Sequence, residues 1–249
     1  MQLDLGQIGA VILAGGLGTR IQHLLPNLPK PMASVAGRPC VEWIVRYLVR
    51  QGVRNILIST GYRAEVFEQH FAGRPISGVQ IRCVAEPQLF GTGGGMLHAI
   101  RASGRTAAGW LVLNGDTFAF AELGPAVRLL ADPALGGVIF GRAVPDTSRY
   151  GSLKLDAAGN LERFEEKRPG QGLVSTGVYL FREDLLLDWP ERRPLSLEHE
   201  VFPALTARGV LFRVVEMNAP FLDIGTPESL SEGDAFVRAN LTRFAQDTL

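Results

Sequence analysis

The sequence predicts an α/β fold built on a mostly parallel central sheet with helices on both faces. Three observations carry this prediction. Apolar runs rich in β-branched residues alternate with segments of helical periodicity through the first half of the chain. The first of these runs opens directly into a glycine loop, Gly15-Gly16-Leu17-Gly18. After about Gly136 the alternation gives way to closely spaced strand candidates, so the sheet is expected to be mixed.

Ile8 to Ala14 reads as a buried strand that feeds the glycine loop. Val41, Ile44, Val45, Leu48 and Val49 repeat at helical spacing. Asn55 to Thr60 is a second strand and Ala64 to Phe71 a second helix. A third strand over Val79 to Val84, a helix over Gly94 to Ala102 and a fourth strand over Trp110 to Asn114 complete the alternating half. Gly136 to Ala143, Gly151 to Leu155, Leu161 to Glu165 and Leu173 to Phe181 follow as strands, and Asp156 to Gly159 is a turn signal between two of them. A helix over Leu197 to Ala207, a strand over Val210 to Glu216 and a helix from Pro227 close the chain. Proline suits a first helical turn because its missing N–H has no partner there. There is no internal repeat.

At 249 residues the chain has room for one large domain, or two small ones, with a real hydrophobic core. No apolar run reaches the ~20 residues of a membrane helix. Met1 to Gly9 carries acidic Asp4 and no basic segment, so a secretory signal is not expected and the expected location is cytoplasmic. Twenty-five Lys and Arg balance 25 Asp and Glu. Neither nucleic acid nor a membrane is therefore an expected partner, and an anionic ligand would need a local arrangement of cations and N–H groups. Cys40 and Cys83 lack metal-ligand spacing and read as reduced thiols. No histidine is assigned a catalytic role.

A glycine loop after a strand offers consecutive N–H groups to phosphate oxygens. The Walker loop needs Gly-Lys followed by Ser or Thr, which is absent here. The dinucleotide fingerprint lacks its third glycine, because Gly16-Leu17-Gly18 runs into Thr19, Arg20 and Ile21. That disfavours an NAD-dependent oxidoreductase. What raises the signal is charge. Arg20 closes the loop, and Lys30 follows between Pro29 and Pro31, which restrict the backbone around it.

With these residues the sequence resembles the sugar-1-phosphate nucleotidylyltransferases, whose pattern is GGxGTR followed by PKP. The resemblance continues through Glu86 to Gly95, Leu113 to Asp116, Ser148 to Gly151, Phe164 to Lys167, Ser196 to Glu198 and Leu222 to Pro227. It implies a Rossmann-like (GT-A-like) nucleotidyltransferase fold as one domain over 1–249. About 1–135 would be the nucleotide-binding half and about 136–249 the sugar-phosphate-binding half.

The resemblance also implies roles. Arg20 and Lys30 would neutralise a nucleoside triphosphate. Asp116 and Asp223 would jointly hold Mg²⁺, which takes oxygen ligands and completes its shell with water and phosphates. Lys167 would join the sugar phosphate to the α-phosphate. These five form the expected catalytic set. Leu13, Ala14, Gly15, Gly16, Gly18, Thr19, Glu86, Gly91 and Thr92 would bind the nucleotide. Asn114, Tyr150, Gly151, Glu166, Lys167, Thr176, Gly177 and Glu198 would bind the sugar phosphate. Read without the resemblance, Asp116 and Asp223 each suit a turn or helix cap. Glu166-Lys167 reads as part of a solvated charge run, and Glu198 as a first-turn helix residue after Ser196.

One departure stands out. Many relatives place asparagine before the strand glycine, where this chain has Ser175-Thr176-Gly177. Serine offers one rotatable hydroxyl in place of an amide.

The base follows from Glu86, where thymidylyl and many uridylyl relatives tend to carry glutamine. An ionised carboxylate only accepts hydrogen bonds. Guanine offers two adjacent donors and uracil one, so the chemistry leans to GTP. The motifs look most like those of guanylyltransferases acting on D-glycero-D-manno-heptose 1-phosphate, with mannose 1-phosphate the runner-up. The expected ligands are thus GTP, a sugar 1-phosphate and Mg²⁺. A homo-oligomer is compatible with the sequence. A uridylyl or thymidylyl enzyme and a catalytically silent regulatory relative stay as alternatives.

Overall fold

The computed structural model describes residues 3–165, 168–187, 189 and 194–245. The elements run β1 (Ile8–Ala14), β2 (Ser34–Val35), β3 (Arg38–Pro39), α1 (Cys40–Gln51), β4 (Asn55–Thr60), α2 (Ala64–Gly73) and β5 (Gln80–Ala85). Then come α3 (Gly91–Ser103), β6 (Gly109–Asn114), β7 (Thr117–Ala119), α4 (Leu123–Leu129), β8 (Leu135–Val144), β9 (Ser152–Leu155), β10 (Leu161–Glu165) and β11 (Gly172–Arg182). The chain continues through α5 (Asp184–Leu187), a π-helical turn at Leu197–Val201, α6 (Phe202–Ala207), β12 (Leu211–Glu216), β13 (Phe221–Asp223) and α7 (Pro227–Ala239).

The central sheet runs β10-β9-β11-β6-β1-β4-β5, with β8 beside β11 and β12 beside β8. β6, β1, β4 and β5 run parallel to one another. β11 is antiparallel to β6, β8 and β9, so the sheet is mixed, with the antiparallel pairings in the later strands as the sequence predicts. Side chains of successive residues enter opposite layers. Ile8, Ala10, Ile12 and Ala14 of β1 join one core with α1, α2, α4 and α7, while Val11 joins the other with α3 and α6. Burial on both faces is why β1 reads as an unbroken apolar run. Each large aliphatic side chain so buried stabilises the fold by roughly 1.5–3 kcal/mol.

Two helices differ from expectation for physical reasons. α3 begins at Gly91, ahead of the expected Gly94, because its glycine-rich first turn lies against the chain at Leu195. The N–H groups of Gly93 and Gly94 donate to the Leu195 carbonyl, and that contact outweighs glycine's poor helix propensity. The segment expected as one helix over Leu197 to Ala207 is a π-helical turn followed by α6. Pro203 has no N–H to donate one turn back, and the widened turn pairs the Val201 N–H with the Ser196 carbonyl.

Two short strands absent from the sequence reading matter most for the site. β13 pairs antiparallel with β7, setting Asp223 opposite Thr117. The Ile224 N–H donates to the Asp116 carbonyl at 2.9 Å. This ribbon brings two distant acidic residues to one place.

β11 carries an irregularity between Ser175 and Tyr179, where its register against β8 shifts. Gly177 has φ +71° there, a left-handed conformation that glycine adopts at no steric cost. Thr176 is buried, and its hydroxyl donates to the Phe140 carbonyl at 2.9 Å.

Candidate functional site

The site lies beyond the C-terminal ends of the parallel strands, where open α/β sheets bind ligands. The glycine loop leaves β1, Asn114 ends β6, and the Gly115 N–H donates to the Leu13 carbonyl at 2.9 Å. Two cavities adjoin there. A cavity of about 460 Å³ is lined by Leu13, Ala14, Gly15, Gly16, Gly18, Thr19, Arg20, Lys30, Glu86, Gly91, Thr92, Asn114 and Asp116, among others. These include every residue expected to bind nucleotide. A cavity of about 550 Å³ is lined by Arg20, Asn114, Asp116, Tyr150, Gly151, Thr176, Gly177, Glu198 and Asp223, with others. Arg20, Asn114 and Asp116 belong to both walls.

The charges concentrate near that junction. Lys30 begins a short 3₁₀ turn after Pro29 and is 8% exposed. Its Nζ lies 2.6 Å from Asp116 Oδ2 and 3.9 Å from Asp223 Oδ1. The Thr117 hydroxyl donates to Asp116 Oδ1 at 3.1 Å. Burial pushes the Asp223 carboxyl above the usual carboxylate range, and the charge on Asp116 adds to this. Lys30, Arg20 and Arg149 pull it back down.

Asp116 and Asp223 therefore form a pair of hard oxygen donors whose repulsion a cation relieves, which suits a divalent ion. Among the described residues no cluster of three or more His, Cys, Asp or Glu side chains forms a metal cage. Further ligands would have to come from water and substrate phosphates.

Glu86 is held by the protein at both oxygens. The Ser59 hydroxyl donates to Oε1 at 2.8 Å and the Phe90 N–H to Oε2 at 2.9 Å. A methyl group on Gly15 or on Gly95 would come within 2.6 Å of Oε1. Glu86 thus ties the glycine loop, β4 and the start of α3 together, and presents a fixed carboxylate to the smaller cavity.

In the larger cavity Arg149 lies over the Tyr150 ring at 5.8 Å, and Tyr150 meets Phe221 at 5.9 Å. Asn114 occupies the space left by Gly177, where a Cβ would fall 2.3 Å from its Nδ2. Glu198 Oε1 accepts from Tyr179 at 2.9 Å, and Oε2 accepts from Thr92 and Ser196 at 3.3 Å. Thr176 touches the cavity, but its hydroxyl is committed to Phe140. Glu166 and Lys167 lie outside the described residues.

The structure adds Arg149, Arg163, Tyr179, His199 and Phe221 to this wall. Arg149 stands inside the Ser148 to Gly151 motif, where its cation was a usable signal. Tyr179 sits in a buried strand run that reads as core. Elsewhere, His70 pairs with buried Glu42 at 2.8 Å, and His98 lies 3.2 Å from the Ala85 carbonyl. Cys40 and Cys83 are free. No helix among the described residues is long and apolar enough to cross a membrane.

Residues 9–240 match the family described as nucleotidyl transferase. D-glycero-alpha-D-manno-heptose 1-phosphate guanylyltransferase of Campylobacter jejuni is 32% identical over 223 residues, which cover 88% of this chain and 95% of that protein. Mannose-1-phosphate guanylyltransferase of Mycobacterium tuberculosis is 31% identical over 232 residues, 92% of this chain and 64% of that protein. The crystal structure of HddC from Yersinia pseudotuberculosis complexed with GMP-PN superposes with a TM-score of 0.77 at 30% identity. That match covers 91% of this chain and 98% of the other.

Proposed function

The chain belongs to the nucleotidyl transferase family, and on that premise we propose that it is a sugar-1-phosphate guanylyltransferase that condenses GTP with D-glycero-α-D-manno-heptose 1-phosphate. The products are GDP-heptose and pyrophosphate. The observation that carries the reading is the pair of adjoining cavities with the Lys30, Asp116 and Asp223 cluster beside their shared wall.

The smaller cavity takes the nucleotide, with the glycine loop around the phosphates and Glu86 facing guanine donors through its remaining lone pairs. The larger cavity takes the sugar phosphate. A phosphate oxygen of the sugar forms a bond to the α-phosphorus, the bond to the pyrophosphate oxygen breaks, and pyrophosphate departs with the electron pair. The nucleophile is already an anion, so no general base is needed, and positioning and charge stabilisation do the work.

Arg20, reaching both cavities, and Lys30 offset the negative charge that meets there. Asp116 and Asp223 would hold Mg²⁺, which when bound supplies charge neutralisation to the attacking and leaving oxygens. Glu166 and Lys167 keep their sugar-hydroxyl and phosphate roles on the sequence alone. The product, made in the cytoplasm, would feed capsule, surface-layer or lipopolysaccharide assembly.

Heptose is favoured because the similarity runs over nearly the whole of the heptose enzyme. Mannose 1-phosphate is the second reading, supported by a relative of nearly the same identity. Steady-state pyrophosphate release with GTP or UTP, each paired with heptose or mannose 1-phosphate, tests both. The highest kcat/KM is expected for GTP with heptose 1-phosphate. Preference for mannose selects the second reading, preference for UTP removes the guanylyl assignment, and no release with any pair refutes the transferase.

A further inference from the structure

We infer that Tyr179 is a positioning residue that presents Glu198 to the sugar, and that Ser175, itself in the cavity wall, acts on sugar binding by holding Tyr179. The inference rests on the transferase reading of the larger cavity.

The hydrogen-bond directions can be worked out from the groups involved. The Tyr179 ring is buried in β11 against Phe202, at a centroid distance of 5.1 Å. Its hydroxyl lies 2.9 Å from Glu198 Oε1 and 2.9 Å from Ser175 Oγ. A carboxylate only accepts, so the single phenolic proton goes to Glu198. Tyr179 must then accept from Ser175, whose hydroxyl proton is thereby used. The Gly177 N–H donates to Ser175 Oγ at 3.2 Å. A directed chain therefore runs from Gly177 through Ser175 and Tyr179 to Glu198. Burial pushes the Tyr179 phenol well up, and the charge on Glu198 adds to this, so the phenol keeps its proton.

The other oxygen of Glu198 is held as firmly. The Leu197 N–H donates to Thr92 Oγ1 at 2.9 Å, which leaves the threonine proton for Glu198 Oε2. Ser196 adds a second donor at 3.3 Å. Three of roughly four acceptor positions on the carboxylate are thus filled by the protein. The remaining one accepts a donor from the cavity, and a sugar hydroxyl is such a donor. Ser175, where many relatives carry an amide, lines the same cavity but spends its proton inside the protein, and that bond links it to Glu198 along the chain.

Steady-state kinetics with GTP and with heptose or mannose 1-phosphate test this. Tyr179→Phe should raise KM for the sugar 1-phosphate about tenfold, the loss of one charge-assisted hydrogen bond. KM for GTP and kcat should stay within about twofold. Ser175→Ala should raise the same KM by a smaller factor, and the double variant should be no worse than Tyr179→Phe alone. A sugar KM unchanged in Tyr179→Phe, equal rises in both KM values, or additive effects of the two substitutions would overturn the inference. If Tyr179→Phe does not fold, the sugar KM of Ser175→Ala decides alone, a selective rise supporting the chain and no change refuting it. Absent turnover in the unsubstituted protein with either sugar removes the transferase reading, and this inference with it.

Discussion

Lys30 and Asp116 form an ion pair of 2.6 Å whose lysine is almost wholly removed from solvent. A buried charge left without its partner costs several kcal/mol. We predict that Lys30→Ala lowers stability by about 3 kcal/mol, because Asp116 and Asp223 then face each other with no cation between them. Added Mg²⁺ should raise the melting temperature of this variant more than that of the unsubstituted protein. Equal shifts in differential scanning fluorimetry would show that the two carboxylates do not share a cation.

Asp116→Asn and Asp223→Asn should each reduce metal-dependent pyrophosphate release by at least ~100-fold, the scale expected when charge stabilisation of a reacting centre is removed. Circular dichroism should show the fold retained, because asparagine keeps the shape. Turnover unchanged in both variants would refute the metal assignment.

Glu86→Gln exchanges one carboxylate oxygen for an amide donor. Glu86 accepts from Ser59 and from the Phe90 N–H, so the amide must give up one of these contacts or turn a donor toward the base. The ratio of kcat/KM for GTP over UTP should fall by about tenfold or more. A ratio that holds steady would mean that backbone groups read the base and that Glu86 only braces the loop.

Gly177→Ala tests the bulge in β11. The left-handed φ of +71° strains any side chain, and the added carbon would fall 2.3 Å from Asn114 Nδ2. The backbone strain alone amounts to roughly 1–3 kcal/mol. Lower stability in urea titration should accompany a weaker KM for the sugar 1-phosphate, since Asn114 must move. A normal KM would separate Asn114 from substrate binding.

Glu42 gives the pH prediction. It is 2% exposed on α1, and burial alone would raise its carboxyl. Hydrogen bonds from Arg46, His70 and Arg38 outweigh this and hold it below its ordinary value of 4.5. The charged form is therefore the one the fold prefers. Its stabilisation is present above about pH 4.5 and is lost as the pH falls through the lowered value. Glu42→Gln should flatten stability against pH in that acid range and cost roughly 1–3 kcal/mol at neutral pH. An unchanged acid slope would mean that other carboxylates carry it.

The fold was readable wherever burial on both faces left a long apolar run. β4 and β10 start and end where the sequence places them, and the expected turn over Asp156 to Gly159 precedes β10. The lining of the smaller cavity was equally visible, since the glycines and Lys30 stand in a contiguous ordered motif. The joining of Asp223 to Asp116 was not visible from spacing. It depends on β7 and β13, whose three residues each are too few to show a period. Tyr179 was hidden for another reason. Its ring is core and only its hydroxyl faces the site, and an apolar strand pattern does not record a single polar atom.

Arg20, Asn114 and Asp116 are walls of both cavities at once. A ligand that settles three side chains on one side settles them for the other side too. The two substrates are then thermodynamically linked, and each must change the affinity of the other by the same factor. Binding in one cavity is felt in the other through Arg20, Asn114 and Asp116.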